Sequence, residues 1–264
     1  MHDCSRRLAA RASDGGSCLL ATDIGGLSTP TYFATDDEKP VTPERYQRIR
    51  RVLDLRQPDL TVLMDNVHKP HNLSAIIRSC DAVGVMQAHG VWCEPGLEPL
   101  HHTSGGSSRW VSIQAHDNAQ TAVQHLHCQD FTIYAANVSA IAVDYRECDY
   151  TRPSAILLGA ELTGVSEQAL ELADQHVVIP MTGMVESLNV SVAAAVILFE
   201  AQRQRLEAGL YETSRMRAPD YQRNLFEWLH PKVAAFCRAH SFDYPGLDAE
   251  GEVVDFPYRG GGCS

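Results

Sequence analysis

The stretch IPMTGMVESLNVS, residues 179–191, links a short β-branched run to a long helical pattern, Val190–Leu206. Pro180 and Gly183 predict a loop between the two elements, since both residue types interrupt regular structure. Ser187-Leu188-Asn189 then lies at the start of the helix, whose first N–H groups have no partner within the helix. Backbone polar groups beside two polar side chains suit a small polar ligand. The stretch therefore predicts a strand, loop and helix that bind a cofactor.

On either side of this stretch, short β-rich runs alternate with helical patterns. Strands that alternate with helices predict an α/β fold, in which helices cover both faces of a mostly parallel sheet. The predicted strands are Leu60–Met64, Ala88–Trp92, Phe131–Ala136, Ala155–Leu158 and Val177–Ile179. The predicted helices are Asn72–Val83, Ala119–His127, Ser166–Leu172 and Val190–Leu206.

The two flanks of this α/β region differ from it in composition. Residues 1–40 are rich in Ser, Gly, Asp and Thr, which predicts a disordered or non-native N-terminal extension. Thr42-Pro43 predicts the N-cap and first turn of a helix within residues 41–58. A last helical pattern covers Tyr221–Ala239, and the Gly- and Asp-rich sequence from Ser241 predicts a loose tail. The expected division is thus an extension (1–40), an N-terminal helix (41–58), a central domain (59–206) and a C-terminal helical extension with its tail (207–264).

Two further segments place polar or glycine residues directly after a predicted strand, where ligands bind in open α/β sheets. The first is DNVHKPHNLSAIIR, residues 65–78, in which Arg78 follows Asn72 by six residues, nearly two helical turns. A long arginine side chain there can reach a phosphate, although the segment alone also fits a capping asparagine and a surface arginine. The second is LLGAELTGV, residues 157–165, whose glycines allow a ligand to approach the backbone closely.

The three segments, in this order, resemble motifs 1, 2 and 3 of the SpoU/TrmH family of SPOUT methyltransferases. The similarity runs from about Val41 to about Gly246 and includes QPDLTV at 57–62, DYTRP at 149–153 and Tyr211. Among family members, the tRNA guanosine-18 2'-O-methyltransferases are the most similar. The resemblance implies a SPOUT fold with a C-terminal trefoil knot, S-adenosyl-L-methionine as cofactor, tRNA as partner, and a homodimer that shares its active sites.

The resemblance also implies a role for each motif residue. Arg78 would be the catalytic arginine, supported by Asn72 and Glu161, while Ser187 and Asn189 shape the reaction centre. A guanidinium stays protonated, so our hypothesis is that Arg78 clamps the neighbouring phosphate and stabilises alkoxide charge rather than acting as a base. The residues implied to hold the cofactor, largely through backbone contacts, are Ala136, Asn137, Gly159, Ile179, Met181 and Leu188.

Charge is distributed unevenly along the chain. The formal net charge of -11 argues against a generic nucleic-acid binder, which usually presents a basic face to phosphates. Two arginine-rich segments depart from this acidic average and predict either RNA-binding patches or solvated helix faces. The first contains Arg45, Arg48, Arg50, Arg51 and Arg56, and the second contains Arg203, Arg205, Arg215, Arg217 and Arg223.

Composition argues against several other classes. The eight cysteines form no CxxC pair, which disfavours a zinc site and a disulfide framework. His101 and His102 lie in a Gly/Ser-rich loop that favours solvation over metal binding, so no metal is expected. No apolar run reaches the roughly 20 residues of a membrane span and no secretory signal is visible, so a cytoplasmic protein is expected.

Three alternative functions stay open. A SPOUT 2'-O-methyltransferase for ribosomal RNA or for the tRNA wobble ribose would share the three motifs, although wobble-specific relatives contain little beyond the knotted domain. The intact Asn72, Arg78 and Glu161 disfavour a non-catalytic RNA-binding paralogue. An NAD-dependent oxidoreductase is disfavoured because no GxGxxG follows a predicted strand.

Overall fold

The computed structural model describes residues 40–92 and 109–254. Seven described strands form the central sheet: β1 (Leu60–Asp65), β2 (Gln87–Val91), β3 (Ser112–His116), β4 (Thr132–Ala136), β5 (Val143–Asp144), β6 (Ser154–Gly159) and β7 (Gln175–Val178). Their order is β3-β2-β1-β6-β4-β7-β5, and every neighbouring pair is parallel. The predicted α/β class with a mostly parallel sheet is confirmed.

Helices cover both faces of this sheet. On one face lie α2 (Pro70–Ala82) and α5 (Val190–Glu207), and on the other lie α3 (Ala119–His127) and α4 (Glu167–Leu172). Strands β1 and β6 are buried along their whole length, and their side chains alternate between the two cores. Met64, for example, joins the α2 and α5 core, while Leu63 joins the other. The loops at the strand ends therefore project from a rigid base.

A third apolar cluster packs α1 (Pro43–Asp54) against α6 (Ala218–Leu229). Leu53 of α1 and Trp228 of α6 are buried within it. The predicted start of α1 is confirmed, because the Thr42 hydroxyl accepts a hydrogen bond from the Arg45 amide and Pro43 occupies the first turn.

The prediction for the C-terminal region is wrong in two places. The pattern at 221–239 is not one helix, because His230 leaves the helical conformation and Pro231 begins α7 (Pro231–His240). The chain after Ser241 is also ordered up to residue 254, where β8 (Gly246–Leu247) and β9 (Val253–Val254) form a hairpin. The Glu252 carboxylate accepts a hydrogen bond from the Val41 amide at 2.6 Å, which ties this hairpin to the chain before α1.

The sequence pattern does not predict the two edge strands, β3 and β5. Strand β3 reads SIQAH, and β5 contains only two residues. An edge strand pairs on one side only and needs no continuous apolar run, so such strands give a weak sequence signal. Strand β7 begins at Gln175 instead of Val177.

The two arginine-rich segments do not form continuous basic patches. Arg56 and Arg205 are fully buried and pair with Asp81 at 2.6 Å and Asp59 at 2.7 Å. The other arginines of the second segment are also neutralised by carboxylates. Arg203 pairs with Glu200 and Glu207, Arg215 pairs with Asp59, and Arg217 and Arg223 both pair with Asp220. Of the two segments, only the first therefore keeps arginines without a carboxylate partner among the described residues.

Some expectations concern features outside this description. His101, His102 and nearly all of the 1–40 extension lie outside the described residues. The trefoil knot stays a prediction. Within residues 40–92 and 109–254, no helix combines the length and apolar character needed to cross a membrane.

Candidate active site

The carboxyl ends of three strands, β4, β6 and β7, open into a cavity of about 450 Å³. Its walls also include the loop before α5 and the first turns of that helix. Parallel strands present their carboxyl ends at the same edge of a sheet, which brings distant segments together here. Six residues expected to hold the cofactor all line this cavity, namely Ala136, Asn137, Gly159, Ile179, Met181 and Leu188.

Glu161 connects the three sequence motifs beside this cavity. Its Oε1 accepts hydrogen bonds from Nδ2 of Asn72 at 2.5 Å and from Nδ2 of Asn189 at 2.8 Å. Its Oε2 accepts a hydrogen bond from Nζ of Lys69. The Asn189 Nδ2 also donates to Oδ1 of Asn72 at 3.2 Å. With three donors engaged, the carboxylate holds the two asparagines in place rather than serving as a free proton acceptor.

Asn189 also fixes the start of α5. Its Oδ1 accepts hydrogen bonds from the Ser191 amide at 2.9 Å and from the Ser191 hydroxyl at 2.6 Å, so it is the N-cap of the helix. The same side chain thus caps a helix through its oxygen and binds Glu161 through its nitrogen.

Asn72, in contrast, is not an N-cap. Helix α2 begins at Pro70, and Lys69 occupies the N-cap position without a side-chain cap. Asn72 therefore lies inside the first turn, where it is only 2% exposed. A buried amide without a partner costs about 1–3 kcal/mol, so the bond to Glu161 stabilises this turn.

Gly159 makes room for the chain itself as well as for the cavity. A β carbon at this position would lie 2.1 Å from the carbonyl carbon of Gly164 and from the amide nitrogen of Val165. Gly164 has a φ of +70° and exchanges two backbone hydrogen bonds with Ala160, at 2.8 and 3.0 Å. The expectation that these glycines let a ligand approach the backbone explains only part of the need for glycine here. The same two glycines also close the tight loop that carries Glu161.

The structure does not bring all five predicted catalytic residues together. Asn72, Glu161 and Asn189 form the network, and Ser187 lines the cavity. Arg78 is exposed on α2 and does not line that cavity. It lies in a separate shallow groove with Pro70, His71, Ser74 and Ala75.

The sequence pattern assigns no role to two residues that the structure places in or beside the site. Lys69 forms an ion pair with Glu161. Asp65, buried at the end of β1, accepts a hydrogen bond from the Ser166 amide at 2.8 Å and so ties this strand to the start of α4. A carboxylate that ends the apolar strand LTVLMD is a usable signal, because a buried charge requires partners.

The buried thiols do not supply a nucleophile. Burial raises the pKa of the Cys80 thiol to about 12 and also raises the pKa values of Cys148 and Cys237. These side chains therefore stay protonated near neutral pH. Among the described residues, no group of three or more His, Cys, Asp and Glu side chains is arranged to hold a metal ion.

Sequence profiles match most of the described chain. One described as the SpoU rRNA Methylase family matches residues 59–199, and one described as SpoU, rRNA methylase, C-terminal, matches residues 203–255. The tRNA (guanosine(18)-2'-O)-methyltransferase of Thermus thermophilus is 57% identical over 188 residues. The alignment covers 71% of this chain and 97% of that protein.

Solved structures are also similar. The A. aeolicus TrmH/SpoU tRNA modifying enzyme has 42% identity and a TM-score of 0.67, with 72% of this chain and 97% of that chain covered. The SpoU methyltransferase AviRb from Streptomyces viridochromogenes, solved in complex with the cofactor AdoMet, has 27% identity and a TM-score of 0.51. In that comparison 58% of this chain and 60% of AviRb are covered.

Proposed function

The chain belongs to the SpoU methylase family, and on this premise we propose that it transfers a methyl group from S-adenosyl-L-methionine to the ribose 2'-hydroxyl of guanosine 18 in tRNA. The observation that carries the proposal is 57% identity to the T. thermophilus tRNA (guanosine(18)-2'-O)-methyltransferase over 97% of its length. The network of Asn72, Glu161 and Asn189 lies within the region that the family profile matches. We place this activity in the cytoplasm.

S-adenosyl-L-methionine is the cofactor we propose for the cavity at the ends of β4, β6 and β7. When bound, it supplies the electrophilic methyl group. The cavity volume of about 450 Å³ lies within the range of roughly 300–1,000 Å³ that small-molecule sites occupy. The AdoMet complex of AviRb supports this assignment. The residues that would hold the cofactor through backbone and apolar contacts are Ala136, Asn137, Gly159, Ile179, Met181 and Leu188.

The side chains around the cavity would align the reacting ribose hydroxyl. Alignment supplies much of the rate in a transfer that has one in-line geometry. Glu161 keeps Asn72 and Asn189 in fixed positions through its hydrogen bonds. Arg78, as a permanent cation, would clamp the adjacent phosphate and stabilise negative charge on the attacking oxygen, while Ser187 shapes the reaction centre.

We also propose a homodimer in which each active site takes residues from both chains. Helix α5 exposes Val192, Phe199 and Leu206, which recur every seven residues and are 47%, 49% and 56% exposed. Residues at this spacing share one helix face, and an exposed apolar stripe is typical of an interaction surface. Arg78 does not line the cavity of its own chain, which supports a role in the cavity of the partner.

The main competing function is 2'-O-methylation of ribosomal RNA, since the matching family profile carries rRNA in its description. Family membership alone therefore does not select the RNA. The alignment over 97% of the T. thermophilus tRNA enzyme favours tRNA. The helices α1, α6 and α7, which lie outside the central sheet, also favour tRNA guanosine 18 over the wobble ribose.

Methyl transfer from labelled S-adenosyl-L-methionine to an unmodified tRNA transcript tests the proposal. We expect label in the transcript and resistance to alkaline cleavage after guanosine 18. A transcript with 2'-deoxyguanosine at this position is the matched control and should take up no label, because it lacks the accepting hydroxyl. Label in ribosomal RNA but not in tRNA would overturn the assignment of tRNA as the substrate. Label at another tRNA ribose would overturn the assignment of guanosine 18 as the methylated nucleotide.

A further inference from the structure

A second cavity lies between α1 and α6, and none of its lining residues belongs to the cofactor cavity. Its volume is about 340 Å³. The lining includes Arg45, Arg48, Ile49 and Val52 from α1, together with Trp110 and Trp228. The cavity therefore combines apolar, aromatic and cationic side chains.

Two tryptophans form the aromatic wall of this second cavity. The rings of Trp110 and Trp228 meet edge to face, with centroids 5.0 Å apart. Trp228 is buried, and the guanidinium of Arg56 lies 5.2 Å from its ring centroid. Trp110 is only half-buried, which leaves part of its indole free to contact a ligand. A partly exposed indole beside apolar side chains is a stacking surface for another planar ring.

Three cations surround this wall without a carboxylate partner among the described residues. They are Arg45 and Arg48 on α1 and Arg109, whose guanidinium lies 4.9 Å from the Trp110 ring centroid. The acidic residue in the lining, Asp81, is already paired with Arg56 at 2.6 Å. The charge around the cavity is therefore positive.

The position of Arg45 is fixed by the fold. Its Nη2 donates hydrogen bonds to the carbonyl oxygens of Trp228 and Leu229 at 2.9 and 3.2 Å. Burial, and then the charge of Arg45, lower the pKa of Arg109. Like charges that are held close together favour an anionic ligand.

Several exposed arginines elsewhere in this acidic chain have carboxylate partners, as in the pairs Arg146 with Asp144, Arg203 with Glu200, and Arg217 with Asp220. Unpaired cations beside an aromatic wall favour a ligand that carries both an anion and a planar apolar ring. A nucleotide has both parts. A polyglutamate peptide has the anion without the ring.

We propose that this cavity, here called the tryptophan pocket, binds one unstacked nucleotide of the RNA substrate, with its base against Trp110 and its phosphate against Arg48 and Arg109. The inference rests on the proposed function, because it takes the macromolecular substrate to be RNA. Unstacked bases occur in the loops and ends of RNA, where aromatic side chains recognise them. The pocket holds the RNA and takes no part in methyl transfer.

Tryptophan fluorescence tests the pocket directly. The chain has three tryptophans, and Trp92→Phe leaves only the two that line the pocket. We expect a single-stranded pentaribonucleotide to quench the fluorescence of this variant, and a polyglutamate peptide neither to quench it nor to compete. Adding Trp110→Leu should abolish the quenching and weaken RNA binding about five- to a hundredfold, the range for loss of base stacking.

Arg48→Gln tests the phosphate contact, with Arg51→Gln as the matched control. Both arginines are exposed on α1, but only Arg48 lines the pocket. The plot of log affinity against log salt concentration has a negative slope, and removing one phosphate contact should reduce the magnitude of this slope by about one. We expect this change, and a raised KM for tRNA, in Arg48→Gln, whereas Arg51→Gln should keep the wild-type slope and KM.

Three results would overturn the proposal that the tryptophan pocket binds RNA. They are no quenching by RNA, unchanged RNA affinity in the Trp110→Leu variant, and equal competition by polyglutamate. The titration needs no methyl transfer, so its outcome is separate from that of the proposed function. An enzyme that methylates tRNA without quenching disproves the pocket alone, and quenching without methylation of any tRNA disproves the proposed function alone.

Discussion

At Glu161, one carboxylate accepts hydrogen bonds from Lys69, Asn72 and Asn189, side chains at the starts of α2 and α5. Glu161→Gln keeps the shape but leaves one oxygen for three donors, so at least one asparagine loses its partner. We expect methyl transfer to fall about tenfold or more, in steady-state assays with labelled cofactor. Glu167→Gln removes the same charge from an exposed position on α4 and should behave as wild type. Equal losses in the two variants would contradict a role for the network.

Arg78 permits a separate test of how a guanidinium acts. Arg78→Lys keeps the charge and loses the planar fork that binds two oxygens. We expect the turnover rate to fall about tenfold or more while the affinity for S-adenosyl-L-methionine stays unchanged, because the proposed contacts of Arg78 are to the RNA phosphate and the attacking oxygen. Calorimetry and single-turnover assays measure the two quantities. A lysine variant that methylates at the wild-type rate would exclude a bidentate role.

Residues differ in how far the sequence predicts them. Asn72, Glu161 and Asn189 are predictable, because each is a polar residue beside an apolar strand or helix within a recognisable motif. The burial of Arg205 is not predictable in this way, since arginine is mostly exposed in proteins. Its burial depends on Asp59, which lies 146 residues away in the chain. Local patterns carry no information about such a partner.

The apolar strands and the long helix α5 are predictable from the sequence, whereas elements with weaker patterns are not. The pattern at 221–239 keeps its helical period on both sides of Pro231. Proline is tolerated in the first turn of a helix, and Pro231 occupies that position in α7. Periodicity alone therefore does not reveal the break between α6 and α7. The β8–β9 hairpin makes a contact that no local pattern reveals, between Glu252 and Val41, 211 residues apart.

The C-terminal end of α5 is fastened by Arg205. Its guanidinium donates to Oδ1 of Asp59 at 2.7 Å and to the carbonyl oxygens of Asp59, Tyr150 and Arg152. We expect Arg205→Met to lower the free energy of unfolding by about 3 kcal/mol or more, because buried acceptors lose their donor. Urea unfolding measures this loss.

Arg203→Met on the same helix is the matched control for Arg205→Met. It removes exposed ion pairs with Glu200 and Glu207, which solvent screens, so we expect a much smaller loss than for Arg205→Met. Similar losses in the two variants would show that Arg205 is not a special anchor of the helix.

The exposed stripe of Val192, Phe199 and Leu206 on α5 permits a test of how two chains assemble. Phe199→Glu places a charge in the proposed interface, where burial would be costly, yet this position is exposed in the single chain. We expect light scattering to find a wild-type dimer and a monomeric variant that has lost methyl transfer. Leu55→Glu adds the same charge to an exposed leucine outside α5 and should stay dimeric. A monomeric wild type would disprove the homodimer.

Net charge is a whole-molecule property that predicts little about RNA binding in this chain. The value of -11 disfavours contact with phosphates, yet many arginines are neutralised by carboxylates, and Arg45, Arg48 and Arg109 around the tryptophan pocket have no carboxylate partner among the described residues. An acidic protein can therefore present a local cationic site. The sequence gives the number of charges, while the pairing follows from the fold.

Acid stability is a further property of the whole molecule. His89 on β2, His116 on β3 and His125 on α3 place their ring centroids within 5.5 Å of one another. Burial, followed by the charges of His116 and His125, lowers the pKa of His89 to about 3. The unfolded chain, whose histidines have pKa values of about 6.5, takes up a proton that the folded chain does not bind. Stability from this source is therefore complete above about pH 6.5 and falls as the pH drops toward 3.

We expect wild-type protein to lose on the order of 1–2 kcal/mol of unfolding free energy between about pH 7 and about pH 5, since each pH unit costs up to about 1.4 kcal/mol per group. His89→Gln removes the titrating group and should flatten this dependence. His240→Gln, at an exposed position on α7, should keep the wild-type slope. Urea unfolding at constant protein concentration measures all three proteins, because dimer formation would make stability depend on concentration. An unchanged slope in His89→Gln would show that other groups cause the loss in acid.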